Sequence, residues 1–150
     1  MLIKLIFLAI LCVYANCIKR SEVIKRAKFW VDKHVPYSQQ AYEYDYDHSK
    51  TYRTDCSGMV SMAWKTSTSY TTRNIQDVSY KIPLSELKAG DALLAPAHHV
   101  VLFDSWVDKN KKTFMVYEEW PKLGAIYRKR ALDSEPGYTY YAIRYKNIED

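Results

Sequence analysis

His98–Trp120 reads HHVVLFDSWVDKNKKTFMVYEEW. Two runs rich in β-branched and aromatic residues flank a polar segment, Asp108–Lys112. This pattern predicts an antiparallel hairpin. The chain continues in the same idiom. GAIYRKRAL (124–132) and YTYYAIRY (138–145) read as further strands, separated by polar turns. Upstream, IPLSELKAGDALLAP (82–96) reads as a short helix or turn running into a strand, with Gly90 at a corner that suits positive φ.

N-terminal to these strands the periodicity changes. Val23, Ile24, Ala27, Trp30 and Val31 form one helical face, with Ser21 as the expected N-cap and Glu22 at the positive end. Residues 35–54 show no sustained period and read as a long loop. Glu43, Asp45 and Asp47 in it lack the EF-hand spacing, so a solvated acidic loop is expected rather than a calcium site. A second helix begins at Cys56, with Met59, Val60, Ala63 and Trp64 on the same face. Helices first and consecutive strands after predict an α+β fold, with the N-terminal helices packed on an antiparallel sheet of about five strands.

A chain of 150 residues with 15% aromatic content suits one globular domain rather than a disordered one. Its formal net charge of +5 comes from scattered residues, and no nucleic-acid-binding motif is present. Such a charge suits an anionic surface or a merely lysine-rich one. Residues 1–17, MLIKLIFLAILCVYANC, read as a secretory signal peptide, cleaved after Ala15 or after Cys17. The apolar run is shorter than the ~20 residues of a spanning helix, and no later stretch is long enough for one. The expectation is a secreted domain over 18–150, a monomer with no stable membrane insertion.

Three cysteines are too few for a disulfide framework. Cys12 leaves with the signal, and Cys17 leaves or stands at a frayed end. That isolates Cys56, which reads either as a buried small hydrophobe or as a nucleophile, at the predicted start of a helix whose first amides stabilise a thiolate or an oxyanion. A thiol nucleophile needs a base, and the chain offers His34, His48, His98 and His99. His34 and His48 fall at a helix end and in the acidic loop, where solvent is expected. His98 and His99 open a strand, whose alternation sends the two rings to opposite faces, so one of them can meet Cys56. Glu118 and Glu119, also on opposite faces, offer a carboxylate to orient the ring; Glu119 fits a strand end reaching solvent. One cysteine beside a His-His pair does not match zinc spacing, and neither metal nor cofactor is expected.

The residues at this point resemble a family. PY at 36–37, DCSG at 55–58, LKAGDALL at 87–94 and HHVVLF at 98–103 are similar in order and spacing to the NlpC-type cysteine peptidases of the papain-like superfamily. HVVLF followed by VYEEW also resembles the related CHAP amidases. The similarity covers about residues 22–145. It implies a papain-like fold with Cys56 as nucleophile, His99 as general base and Glu118 as the orienting residue. It further implies that Tyr37 lines the site, and that Asp55 and Ser57 grip the free amine of a peptide. The chain departs from the pattern in SQQAYEYDYD after PY, where the family often has glycine, and in using a glutamate as third residue. The implied activity is hydrolysis of amide bonds in peptidoglycan peptides or muropeptides, after a D-glutamyl residue or at the glycan–peptide amide. The same chemistry would serve an acyltransferase or a deamidase. A wall-binding or toxin-like module without turnover is the non-enzymatic alternative.

Overall fold

The structure is a computed structural model that describes residues 17–150. The predicted signal peptide, except Cys17, lies outside the described residues. Among these, no helix is long and apolar enough to cross a membrane.

The elements in chain order are β1 (Ile18–Lys19), α1 (Arg20–Asp32), β2 (Tyr42–Tyr44), β3 (Thr51–Arg53) and α2 (Cys56–Trp64), followed by strands. These are β4 (Ser79–Ile82), β5 (Ala92–Ala95), β6 (His99–Trp106), β7 (Thr113–Trp120), β8 (Gly124–Ala131), β9 (Tyr141–Tyr145) and β10 (Ile148–Glu149). Two short 3₁₀ turns flank β4. The fold is α+β. Its main sheet has six antiparallel strands in the order β4-β9-β5-β6-β7-β8, one more than expected. β6 and β7 are the hairpin read from the sequence, joined through Asp108–Lys112, with a register shift between Phe103 and Ser105.

Strand alternation divides the interior in two. Val100, Leu102, Leu94, Tyr117 and Ile143 pack with the helices, against Trp30, Met59, Met62 and Trp64. Val101, Phe103, Leu93, Val116 and Phe114 form a second cluster on the other face, with Ile82, Leu87 and Ala142. α2 is buried at every residue, as expected of a helix apolar on most sides. Its last residue, Trp64, stacks on Tyr145 at 5.3 Å and donates its indole N–H to the Gly90 carbonyl at 2.7 Å. Gly90 has φ +90°, as the corner requires.

Several local expectations are corrected. α1 starts at Arg20 with Lys19 as N-cap, and Ser21 lies inside the helix, so no side chain caps it. Ile18 and Lys19 pair in parallel with Ile148 and Glu149, which ties the end next to Cys17 into the fold instead of leaving it frayed. The 35–54 segment contains a short hairpin, β2–β3, whose strands of three residues are too brief to show a period. The acidic loop is not fully solvated. Asp45 is buried and accepts from Arg26 Nη2 at 3.0 Å, while Arg26 Nη1 reaches Asp47 at 2.9 Å. Arg26 is itself buried and donates through Nε to the Met62 carbonyl at 2.8 Å. A charge taken out of water needs such partners. The pairing fastens α1, the β2–β3 hairpin and the end of α2 to one another.

Candidate active site

Cys56 is the first residue of α2 and is buried. Asp55 caps the helix: its Oδ1 accepts from the Gly58 amide at 2.8 Å, and its carbonyl accepts from the Met59 amide at 2.9 Å. This leaves the Cys56 and Ser57 amides of the first turn outside the capping bonds. The glycine after Ser57 has a backbone reason. A Cβ at position 58 would stand 1.7 Å from the Arg53 carbonyl oxygen, so β3 and α2 approach this closely only over glycine. Gly58 therefore clears the path of the chain itself rather than a substrate surface.

Burial pushes the Cys56 thiol up to about 11, and the nearby charge of Asp55 adds to the rise. Opposing this, the backbone N–H groups of Val100 and Ser57 and the charge of Arg53 favour the thiolate. The Val100 amide belongs to the residue after His99, so the sulfur rests against the opening residues of β6.

His99 is buried, and its Nε2 lies 2.8 Å from Glu118 Oε2. Burial alone would raise the Glu118 pKa. The hydrogen bond from His99 and the charges of Arg130 and Arg128 outweigh it and hold this carboxyl below its usual range. As a carboxylate, Glu118 only accepts, so the proton of the His99–Glu118 bond sits on Nε2. In the neutral ring Nδ1 then carries the lone pair. Glu118 also accepts from Arg128 Nε at 2.5 Å and from Arg130 Nη1 at 2.8 Å. Trp120 stands edge-on to the His99 ring at 5.3 Å.

Alternation directs His99 and Glu118 to the face of Val101 and Val116, opposite the one that α2 covers. The thiol therefore meets β6 at the Val100 amide, while alternation places the His99 ring on the strand's other face.

The expectation that His98 and His99 point to opposite faces fails. His98 precedes β6 in a turn where Ala97 has φ +59°, so strand alternation does not reach it. Its Nε2 contacts Glu135 Oε2 at 2.7 Å, and its ring stacks on Tyr138. Arg130 bonds Glu135 as well as Glu118. His98, Glu135, Arg130, Glu118 and His99 thus form one continuous polar chain. Burial would raise the Glu135 pKa, but bonds from Arg130 and His98 hold it down at about 2.

Glu119 is corrected too. It does not reach solvent: it is 0% exposed, and neither carboxylate oxygen has a hydrogen-bond partner. Burial pushes its pKa up to about 9, with the charge of Asp55 adding to the rise, so the carboxyl is protonated at neutral pH. His34 and His48 are exposed, as expected.

Asp55 and Ser57 are already engaged. Arg53 Nε donates to Asp55 Oδ2 at 2.5 Å, and Arg53 Nη2 to the Ser57 hydroxyl at 3.2 Å and to the Tyr70 carbonyl at 2.8 Å. The pair expected to hold a substrate amine is thus neutralised by an arginine two residues before the cap. Tyr37 is part-buried, close enough to Cys56 for the charges to couple, and burial raises its pKa; its hydroxyl accepts from Gln39 at 3.3 Å. Arg53, Arg128, Arg130 and Glu135 were missed from the sequence. Arg128 and Arg130 had one signal: like-signed charges two apart in a strand share a face and call for a carboxylate there.

Cys17 and Cys56 are both free thiols. Among the described residues no group of His, Cys, Asp and Glu is arranged to hold a metal ion. No protein-family model matches the chain, and no curated protein matches it significantly.

Proposed function

We propose that this chain is a papain-like cysteine hydrolase, related to the NlpC-type peptidases, that opens amide bonds through Cys56, His99 and Glu118. One observation carries the reading: a buried imidazole tethered at Nε2 to an ionised carboxylate, one residue from the amide that rests against a helix-start thiol. The tether sets the tautomer, so Nδ1 is the nitrogen that takes the thiol proton.

The resting thiol is protonated, because burial raises its pKa. Attack therefore couples proton transfer to bond formation. His99 Nδ1 accepts the proton as Cys56 Sγ bonds to the carbonyl carbon. The first amides of α2 receive the negative charge that develops on the carbonyl oxygen. The imidazolium then protonates the leaving amine, and the C–N bond breaks. Water, deprotonated by the same ring, adds to the thioester and releases the acid and the thiol. Glu118 stabilises the imidazolium in both halves.

The proposed substrate is a peptidoglycan peptide outside the cell, and the test reads the bond directly. Purified peptidoglycan is incubated with the mature protein and with Cys56→Ala, and the fragments are weighed by mass spectrometry. A new amine and a new carboxylate at one amide, absent with the variant, support the reading. Unchanged peptidoglycan with both proteins overturns this substrate. A product carrying an added amine in place of water identifies an acyltransferase.

A further inference from the structure

Beyond Trp120, the edge of the sheet near His99 opens into a cleft of about 250 Å³, lined by Trp120, Arg128, Lys129, Arg130, Ser134 and Glu135. Two arginines share one face of β8 there, against Glu135, with Glu118 bonded to both. The two arginines are used differently. Arg130 is committed at both ends, Nη1 to Glu118 and Nη2 to Glu135. Arg128 gives only Nε to Glu118, and its guanidinium lies 4.7 Å over the Trp120 ring. Its two terminal nitrogens have no acceptor among the described residues.

An arginine pinned at Nε and stacked on an indole has lost most of its rotamer freedom before any ligand arrives. Its remaining edge is a planar two-donor fork, which matches a carboxylate. Little further ordering is then needed on binding. Trp120 meets Arg128 with its face and makes a T-shaped contact with His99, so the indole links the cleft to the proposed base.

The geometry points to a subsite for a carboxylate of the substrate, gripped by the Arg128 fork on the Trp120 side of the proposed base. This rests on the hydrolase reading above and narrows it: amide substrates carrying a free carboxylate near the cleaved bond are preferred over their neutral amides.

Binding is tested apart from turnover. The chain with ¹⁵N-labelled tryptophan is titrated with N-acetylglycinate and with N-acetylglycinamide, and the Trp120 indole signal is assigned with Trp120→Phe. The expected result is a saturable shift with the carboxylate alone, lost in Arg128→Ala and kept in Lys129→Ala, whose side chain alternation sends to the other face. Equal shifts with both probes, no shift with either, or full carboxylate binding in Arg128→Ala overturns the subsite. Inorganic phosphate is run in parallel; a tighter response to it than to the carboxylate also overturns it, in favour of a phosphate site. For turnover, the readout is the ratio of kcat/KM for a carboxylate substrate to that for its amide, because Arg128→Ala lowers both through Glu118. The ratio is expected above 10 in the wild type and near 1 in Arg128→Ala. Carboxylate binding without hydrolysis of any amide removes the hydrolase reading and leaves the site. Hydrolysis without preference does the reverse.

Discussion

His99 and Glu118 are joined at 2.8 Å through Nε2 and Oε2, and the same carboxylate oxygen accepts from Arg130 at the same distance. The orienting carboxylate is therefore shared between an imidazole and an arginine, while its other oxygen serves Arg128. Glu118 has two duties, positioning the base and neutralising buried positive charge.

Substitution at 118 separates these duties. Glu118→Gln keeps an oxygen for the His99 N–H but leaves Arg128 and Arg130 short of a counter-charge. Breaking a buried pair in this way costs about 3–5 kcal/mol. Turnover is expected to fall less in Gln than in Ala, while both variants melt well below the wild type. Steady-state kinetics with thermal unfolding on the same samples decide it. Equal turnover in Gln and Ala means that ring orientation contributes nothing.

His99→Ala is expected to eliminate turnover, because no second imidazole takes the same place: His98 is held by Glu135 and Tyr138. His98→Ala leaves the His99–Glu118 bond intact and lowers turnover modestly. Kinetics of the two variants check this. The reverse order would assign the base to His98.

With its pKa at about 11, the Cys56 thiol is expected to alkylate slowly at pH 7 in the absence of substrate. The rate should rise about tenfold per pH unit until the thiolate dominates. Iodoacetamide labelling of Cys56, followed by peptide mass, gives the profile. A plateau below pH 7 would show a resting thiolate–imidazolium pair instead.

Glu119 makes the fold pH-dependent. Its native pKa of about 9 lies above the ordinary 4.5, so the unfolded chain ionises first as pH rises. Its contribution to stability is full below about pH 4.5 and is lost progressively toward pH 9. Glu119→Gln removes the ionisation and is expected to stabilise the protein at pH 8 by a few kcal/mol, because the wild type loses up to about 1.4 kcal/mol per pH unit between the two pKa values. At pH 4 the two proteins should melt alike. Denaturation of both across pH 4–9 is the check, and parallel curves would count against a buried neutral carboxyl.

Gly58→Ala is expected to compromise folding, because the added methyl meets the Arg53 carbonyl at 1.7 Å and backbone cannot yield as a flexible side chain does. Overpacking of this kind costs about 1–3 kcal/mol, occasionally more. Chemical denaturation measures it, and a midpoint equal to the wild type would mean that β3 and α2 separate easily.

What the sequence determined by itself follows from local periodicity. The helix at Cys56, the β6–β7 hairpin, the strands β8 and β9 and the corner at Gly90 each carry their pattern within a few residues. Cys56, the pair His98–His99 and the pair Glu118–Glu119 stood out because a helix-start thiol, a strand-start imidazole and a carboxylate among apolar neighbours are each costly or reactive where they sit; the choice of His99 and Glu118 within the pairs is what the family resemblance implies. The tertiary structure decided everything that depends on what packs against what. Whether a carboxylate is solvated, paired or stranded is a property of its neighbours, so Asp45, Glu118 and Glu119 look alike as letters. One lies in a buried pair with Arg26, one accepts from three donors, and one has none. Likewise the register of His98 was lost to a single residue at positive φ, which ended the alternation one step before the strand began.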